Sequence, residues 1–162
     1  IGIENDSIMA AEAGKNLDKV VERDLDAPGP LGLDQFDVII CGDVLEHLKQ
    51  PRVLIQTLAQ EHLAPSGFFL ISIPNIAFIH IRFNLLFGKF DYDPHGGIMD
   101  ATHLHFYTRR TLIDFLASSG LDVEFVRGYN LVKDRFFFLR PLGQFLPTLF
   151  AIQFLAKARK RQ

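Results

Sequence analysis

Two apolar runs constrain this chain more than anything else in it: Phe36-Asp-Val-Ile-Ile-Cys41 and Phe68-Phe-Leu-Ile-Ser-Ile73. Neither alternates strictly, so each suits a strand buried on both faces of a parallel sheet. Parallel neighbours need a crossover, usually a helix. The stretch between the runs supplies one, because Val53, Leu54, Leu58 and Leu63 recur at near-helical spacing behind Pro51. Pro65-Ser66-Gly67 then reads as a turn, and Pro74-Asn75 ends the second run.

The same alternation continues on both sides. Upstream, Ile1-Gly2-Ile3-Glu4 reads as the end of a buried strand. Residues 7–16 read as a helix capped by Asp6 or Ser7, and 19–24 as a short strand. Two prolines and two glycines in Ala27–Gly32 make a loop. Downstream, 76–88 is predicted helical with Gly88 closing it, and 89–101 is a long loop of the kind that often forms a lid or binding loop. A helix over 108–119 is capped by Thr108 or Thr111 and stopped by Gly120. Leu121–Val126 alternates as a half-exposed strand. The order predicts an α/β fold, a mainly parallel sheet with helices on both faces.

Composition removes other classes. The 162 residues are 48% hydrophobic and 22% charged, a globular balance that fits one domain. Net charge is −2, without the basic excess of a nucleic-acid module, so no nucleic-acid partner is expected. Cys41 is the single cysteine, which excludes an intrachain disulfide and suits a reducing, cytoplasmic setting. No apolar run reaches the ~18 residues of a membrane span, and the first residues lack the order of a signal peptide. Charge is uneven: residues 1–126 hold 9 basic and 18 acidic side chains, whereas 127–162 hold 8 basic and one acidic. That basic, Phe-rich end reads either as a segment touching anionic membrane or as a short helical insertion over 130–150 followed by a last strand at 151–159. Pro141 and Pro147 favour the second reading by breaking any long helix.

In open α/β sheets ligands bind beyond the C-terminal ends of the strands. That rule points to Glu4, Asp24, Cys41-Gly42-Asp43 and Pro74-Asn75. A carboxylate at Glu4 can accept both hydroxyls of a ribose, or be a solvated strand-end charge. Asp24 can accept from an adenine amino group or cap its own turn to Asp26. Gly42 lets a ligand approach the backbone closely, and Asp43 can instead N-cap the next helix. Glu46 and His47 are adjacent, so on a helix they face different ways and would not share a metal. His103 and His105, if extended, share one face. With Glu46 or His47 nearby they can form a metal site or supply a general base; most such histidines are structural or position a substrate, and no metal is assigned. Cys41 reads as a small buried residue.

The ordered pieces Phe36-Asp-Val-Ile-Ile-Cys-Gly-Asp-Val-Leu-Glu-His-Leu48, Pro51, Leu63-Ala-Pro-Ser-Gly67, Ser72-Ile-Pro-Asn75 and Gly97-Ile-Met-Asp-Ala-Thr-His-Leu-His-Phe-Tyr-Thr108 resemble the class I S-adenosylmethionine-dependent methyltransferases. The likeness covers about 1–130 and is to the small-molecule and lipid- or sugar-precursor type found in bacteria. It implies a Rossmann-like sheet whose last two strands are 121–129 and about 151–159, the final one antiparallel. By position Glu4 matches the ribose acid, Asp24 and Leu25 the pair beside the adenine, and Cys41, Gly42 and Asp43 the strand end lining the methionine side. Residues 86–107 would shape the acceptor site. His47, His103, His105 and Tyr107 are the candidates for a catalytic base where the acceptor must lose a proton.

One feature of the family is missing. No Gly-x-Gly occurs in the chain, and the sequence starts at what would be the family's second strand. The absent first strand would be the centre of the sheet, so the single methyltransferase-like domain over 1–162 is expected to be N-terminally incomplete. A non-catalytic α/β module, or an inactive fragment acting through the Phe-rich basic end, is the alternative. A nicotinamide oxidoreductase shares the strand-end acid but also wants a glycine fingerprint.

Overall fold

The computed structural model describes residues 1–129 and 145–161, apart from the side chain of Pro147. Two compact units result, 1–33 and 34–162. In the first, β1 (Gly2–Glu4) and β2 (Val20–Glu22) pair in parallel around α1 (Ser7–Ala13). Asp6 caps α1, its Oδ1 accepting from the Ile8 and Met9 amides at 2.9 Å each. The helix ends three residues before the predicted Asn16, and β1 is half-buried rather than buried.

The second unit carries a four-stranded sheet in the order β3-β4-β6-β5, from β3 (Phe36–Gly42), β4 (Leu63–Pro74), β5 (Leu121–Tyr129) and β6 (Gln153–Lys160). β3 and β4 are parallel, while β6 runs antiparallel to both β4 and β5. This is the expected α/β architecture with its antiparallel last strand. The predicted turn at 65–67 lies inside β4, where the register against β3 shifts between Phe36 and Val38. Phe69, Ile71 and Ile73 on β4 meet Phe154, Ala156 and Ala158 on β6, all fully buried, and form the core.

β3 departs from expectation. Among the described residues it pairs only with β4 and lies at the edge of the sheet, and Ile40 is 71% exposed instead of buried on both faces. The crossover is α2 (Pro51–Thr57), with proline in its first turn, continued by a π-type turn over Leu58–His62. Its buried side is Leu54, Ile55 and Leu58; Val53, expected to join it, is 53% exposed because Ile55 takes the inward position.

α3 spans Ile79–Leu86 and α4 spans Arg109–Ser118. Thr108 and Thr111 close a reciprocal capping box on α4, and Leu112 and Leu116 bury its inner face. Gly120, at φ 89°, takes the left-handed position that ends it. A short α5 (Pro147–Phe150) precedes β6, and most of the predicted 130–150 insertion lies outside the described residues. Part of the basic end is spent within the sheet, where Lys157 and Arg159 pair with Glu124, and Arg161 with Asp122. Among the described residues, no helix is long and apolar enough to cross a membrane.

Candidate functional site

The first unit holds Glu4, Asp24 and Leu25. Glu4 ends β1, and its Oε1 accepts from the amides of Asn5 (2.8 Å) and Asp6 (3.2 Å). These bonds fix the carboxylate at the strand end and leave Oε2 available to a ligand hydroxyl. Asp24 follows β2 and caps its own turn, Oδ1 accepting from the Asp26 amide at 2.8 Å. Leu25 beside it is half-buried.

The second unit holds the strand end Cys41-Gly42-Asp43. Cys41 is buried, and burial pushes its thiol up to about 12, so it is not a nucleophile near neutral pH. A Cβ at Gly42 would meet only Ser72 Oγ, at an ordinary 3.8 Å, so packing within the protein does not demand glycine there. Asp43 sits at φ 51°, a left-handed conformation that a non-glycine residue seldom adopts. Its amide donates to the Ser72 backbone oxygen (3.3 Å) and to Ser72 Oγ (3.2 Å). Its Oδ1 accepts from Ser72 Oγ and from Gln153 Nε2. The carboxylate therefore does not take the capping role that was its alternative; the next turn begins at Val44 with no side-chain cap. In the first unit the carboxylate fixed at the end of β1 is chemically able to accept from hydroxyls, and in the second the backbone at Gly42 is uncrowded.

The turn after Asp43 is a 3-10 turn over Leu45–His47, not an α-helix. That difference overturns the prediction that Glu46 and His47 diverge. Ligating atoms of Glu46, His47 and His103 all lie within 4.8 Å of one another. Glu46 is 1% exposed, and neither carboxylate oxygen has a hydrogen-bond partner. Burial pushes its carboxyl up to about 7; its own backbone amide works against the rise, and the Asp43 and Asp100 charges add to it.

Both imidazoles are oriented from behind. Thr102 Oγ1 donates to Asp100 Oδ1 (2.6 Å), so it accepts from His47 Nδ1 (3.0 Å). His103 Nδ1 donates to the Ile98 carbonyl (3.2 Å). Each ring therefore donates from Nδ1, and the neutral tautomer that fits this bond presents its lone pair on Nε2. The rings meet edge to face, with centroids 4.7 Å apart. Burial lowers the His103 pKa, which favours the neutral ring. The same Thr102 hydrogen bonds hold the Asp100 carboxyl below its ordinary value. Asp43, Glu46, His47, Asp100, His103 and Gln153 line a cleft of about 250 Å³.

His105 and Tyr107 lie elsewhere. The amides of Leu104 (2.8 Å) and His105 (3.1 Å) both donate to the Glu46 carbonyl. Consecutive amides of an extended strand point to opposite sides, so the chain bends here. His103 and His105 consequently do not share a face. His105 and Tyr107 line a second cleft of about 520 Å³ with Arg52, Thr111 and Phe115. Burial and the Glu46 charge push the Tyr107 hydroxyl up to about 12, which makes it a poor base.

Sequence reasoning missed Ser72, Asp100, Thr102 and Gln153. Asp100-Ala-Thr102 did carry a signal, since aspartate two residues before an amide commonly closes a turn on it, as Asp100 Oδ1 does with the Thr102 amide at 2.7 Å. Gln153 carried none, because it reaches Asp43 only through the β4–β6 pairing.

A methyltransferase domain family model matches residues 2–125. No curated protein matches at a significant level. Among solved structures, a methyltransferase of Thermotoga maritima described as a possible histamine N-methyltransferase is similar at TM-score 0.67 and 16% identity, over 99% of this chain and 73% of that one. An S-adenosylmethionine-dependent methyltransferase of Mesorhizobium loti is similar at TM-score 0.64 and 19% identity, over 98% and 79%. A small RNA methyltransferase gives TM-score 0.65 and 17% identity, over 99% of this chain and 20% of that one. These likenesses carry the fold, and the family match covers most of the sequence: the chain belongs to the methyltransferase domain family.

Proposed function

We propose that the chain transfers the methyl group of S-adenosylmethionine to an oxygen, nitrogen or carbon of a small-molecule, lipid or sugar-precursor acceptor lodged in the cleft of Glu46, His47 and His103. The observation that carries this is the end of β3. Gly42 and the left-handed Asp43 close a strand of the parallel pair directly beside a cleft that two Nε2 lone pairs line. Bound, the cofactor supplies an electrophilic methyl on a sulfonium.

Of the strand-end groups, Glu4 would take the ribose hydroxyls and Asp24 and Leu25 the adenine, and Cys41, Gly42 and Asp43 would take the methionine end. The remaining work is alignment and exclusion of water. An acceptor that must lose a proton gives it to His47 or His103, the two imidazoles whose Nδ1 atoms are already engaged as donors.

Calorimetric titration of S-adenosylmethionine and S-adenosylhomocysteine tests this, after circular dichroism has established that the chain is folded. Binding that Glu4→Ala and Asp43→Gly both weaken is the expected result. A folded chain with no heat of binding overturns the reading. An acceptor panel of hydroxylated and aminated small molecules, lipid and sugar precursors and an RNA oligonucleotide then reads the substrate class. Methylation of the RNA alone would sink the small-molecule assignment.

A further inference from the structure

We propose that Glu46, His47 and His103 form a binding site for one divalent transition-metal ion. Three observations meet here. Ligating atoms of the three side chains are already within 4.8 Å of one another. Around an ion bound at about 2.0–2.2 Å they would lie about 3–4 Å apart, so closure needs shifts of under about 1 Å.

Both imidazoles are held as metal ligands usually are. The Nδ1 proton of His47 is committed to Thr102, itself held by Asp100, and that of His103 to the Ile98 carbonyl. Partners of this kind fix the tautomer and aim the Nε2 lone pair. Glu46 supplies the independent sign of a ligand. Its carboxylate is 1% exposed with both oxygens unpartnered, an arrangement that costs stability unless something else satisfies it. A cation between it and the two rings does so.

Two imidazoles and one carboxylate suit a cation of borderline softness such as Zn²⁺, Co²⁺ or Fe²⁺. The fourth and later positions face the cleft, as in catalytic rather than closed structural sites. With a cation bound, His47 and His103 act as ligands and not as bases. The inference does not require the methyl-transfer reading, because binding is measured without donor or acceptor.

The test uses the untagged chain and Co²⁺. Its visible absorption reports tetrahedral or five-coordinate nitrogen and oxygen ligation. The expected result is one equivalent of Co²⁺ giving a visible band that Zn²⁺ displaces. Glu46→Gln, His47→Ala and His103→Ala should each weaken binding by more than the roughly 10–100-fold that loss of a ligand's supporting partner costs. Thr102→Val should weaken it within that range, and His80→Ala, on exposed α3, should leave it unchanged.

Thermal unfolding separates this from a structural role. Cobalt should raise the wild-type Tm. In chelator, Glu46→Gln should be at least as stable as wild type, because it removes an unpartnered buried charge, and cobalt should no longer raise its Tm. No visible band, a band unaffected by the three ligand variants, or a wild-type Tm that does not move with cobalt would each overturn the proposal.

Discussion

The Glu46 carbonyl accepts the amides of both Leu104 and His105, at 2.8 and 3.1 Å. These bonds tie the turn after β3 to the segment entering α4, and they divide the histidines between two clefts. His103 goes to one side with His47, and His105 to the other with Tyr107. If the acceptor occupies the first cleft in the metal-free chain, His47→Ala and His103→Ala should each lower the rate of methyl transfer about 100-fold or more, the range of a lost acid–base group. His105→Ala and Tyr107→Phe should change it less than about tenfold. Steady-state rates on one identified acceptor check this, and equal losses across all four variants would mean that the acceptor spans both clefts.

Asp43 separates backbone from side-chain effects. At φ 51° a Cβ is strained. Asp43→Gly relieves that strain and Asp43→Ala does not, so the glycine variant should be the more stable by about 1 kcal/mol in urea unfolding. Both lose the carboxylate that Ser72 and Gln153 hold, and both should lose cofactor binding to a similar extent. A glycine variant that binds normally would show that the carboxylate takes no part.

Asn75 is fully buried just past the end of β4. Its Nδ2 donates to the carbonyls of Ala151 (2.8 Å) and Thr148 (3.3 Å), and its Oδ1 accepts from the Ala77 amide (3.0 Å). Asn75→Ala leaves two buried backbone groups, the Ala151 carbonyl and the Ala77 amide, without this partner, at about 1–3 kcal/mol each, while the part-buried Thr148 carbonyl can turn to water. A loss of about 2–4 kcal/mol in urea unfolding is expected. A loss under about 0.5 kcal/mol would mean that solvent replaces the side chain.

The strand and helix order was legible in the sequence because it rests on local signals. Pro51 opening α2, the Thr108–Thr111 cap and Gly120 each act within a few residues. What depends on distant pairing was not legible. Val38 and Ile40 share one face of β3 and are exposed, whereas Cys41 on the other face is buried; which face is covered is decided by distant packing, and the sequence of β3 shows no trace of it. The candidate site divides in the same way. Its strand-end residues could be found, because a polar group after an apolar run is a local pattern. The convergence of Glu46, His47 and His103 depends on a 3-10 turn standing where a helix was expected, and on a bend at His103–His105 held by the Glu46 carbonyl.

Cys41 offers a check on the packing behind the site. It is 4% exposed, and burial pushes its thiol up to about 12. The native chain at pH 8 should therefore resist a thiol-specific reagent, and the single thiol should react in full in denaturing urea. Rapid stoichiometric reaction of the native chain would show that the β3–β4 layer opens readily.

The acid limb of stability has an identifiable contributor on the opposite part of the sheet. Lys157, at 2.8 Å, and Arg159 both pair with Glu124 across β5 and β6, and they hold its carboxyl below the ordinary value of 4.5. A carboxyl whose pKa is lower in the folded state binds fewer protons there than in the unfolded chain. Its contribution is thus fully present above the ordinary value and is lost as pH falls through the folded value. Glu124→Gln should flatten the decline of unfolding free energy below pH 4.5 and leave the slope above about pH 6 unchanged. The pairs are partly exposed, so the difference should shrink in concentrated salt. Urea unfolding of wild type and Glu124→Gln across that pH range, at low and high salt, measures it. Parallel curves would show that the two basic side chains cover Phe68, over which both sit, without stabilising the carboxylate.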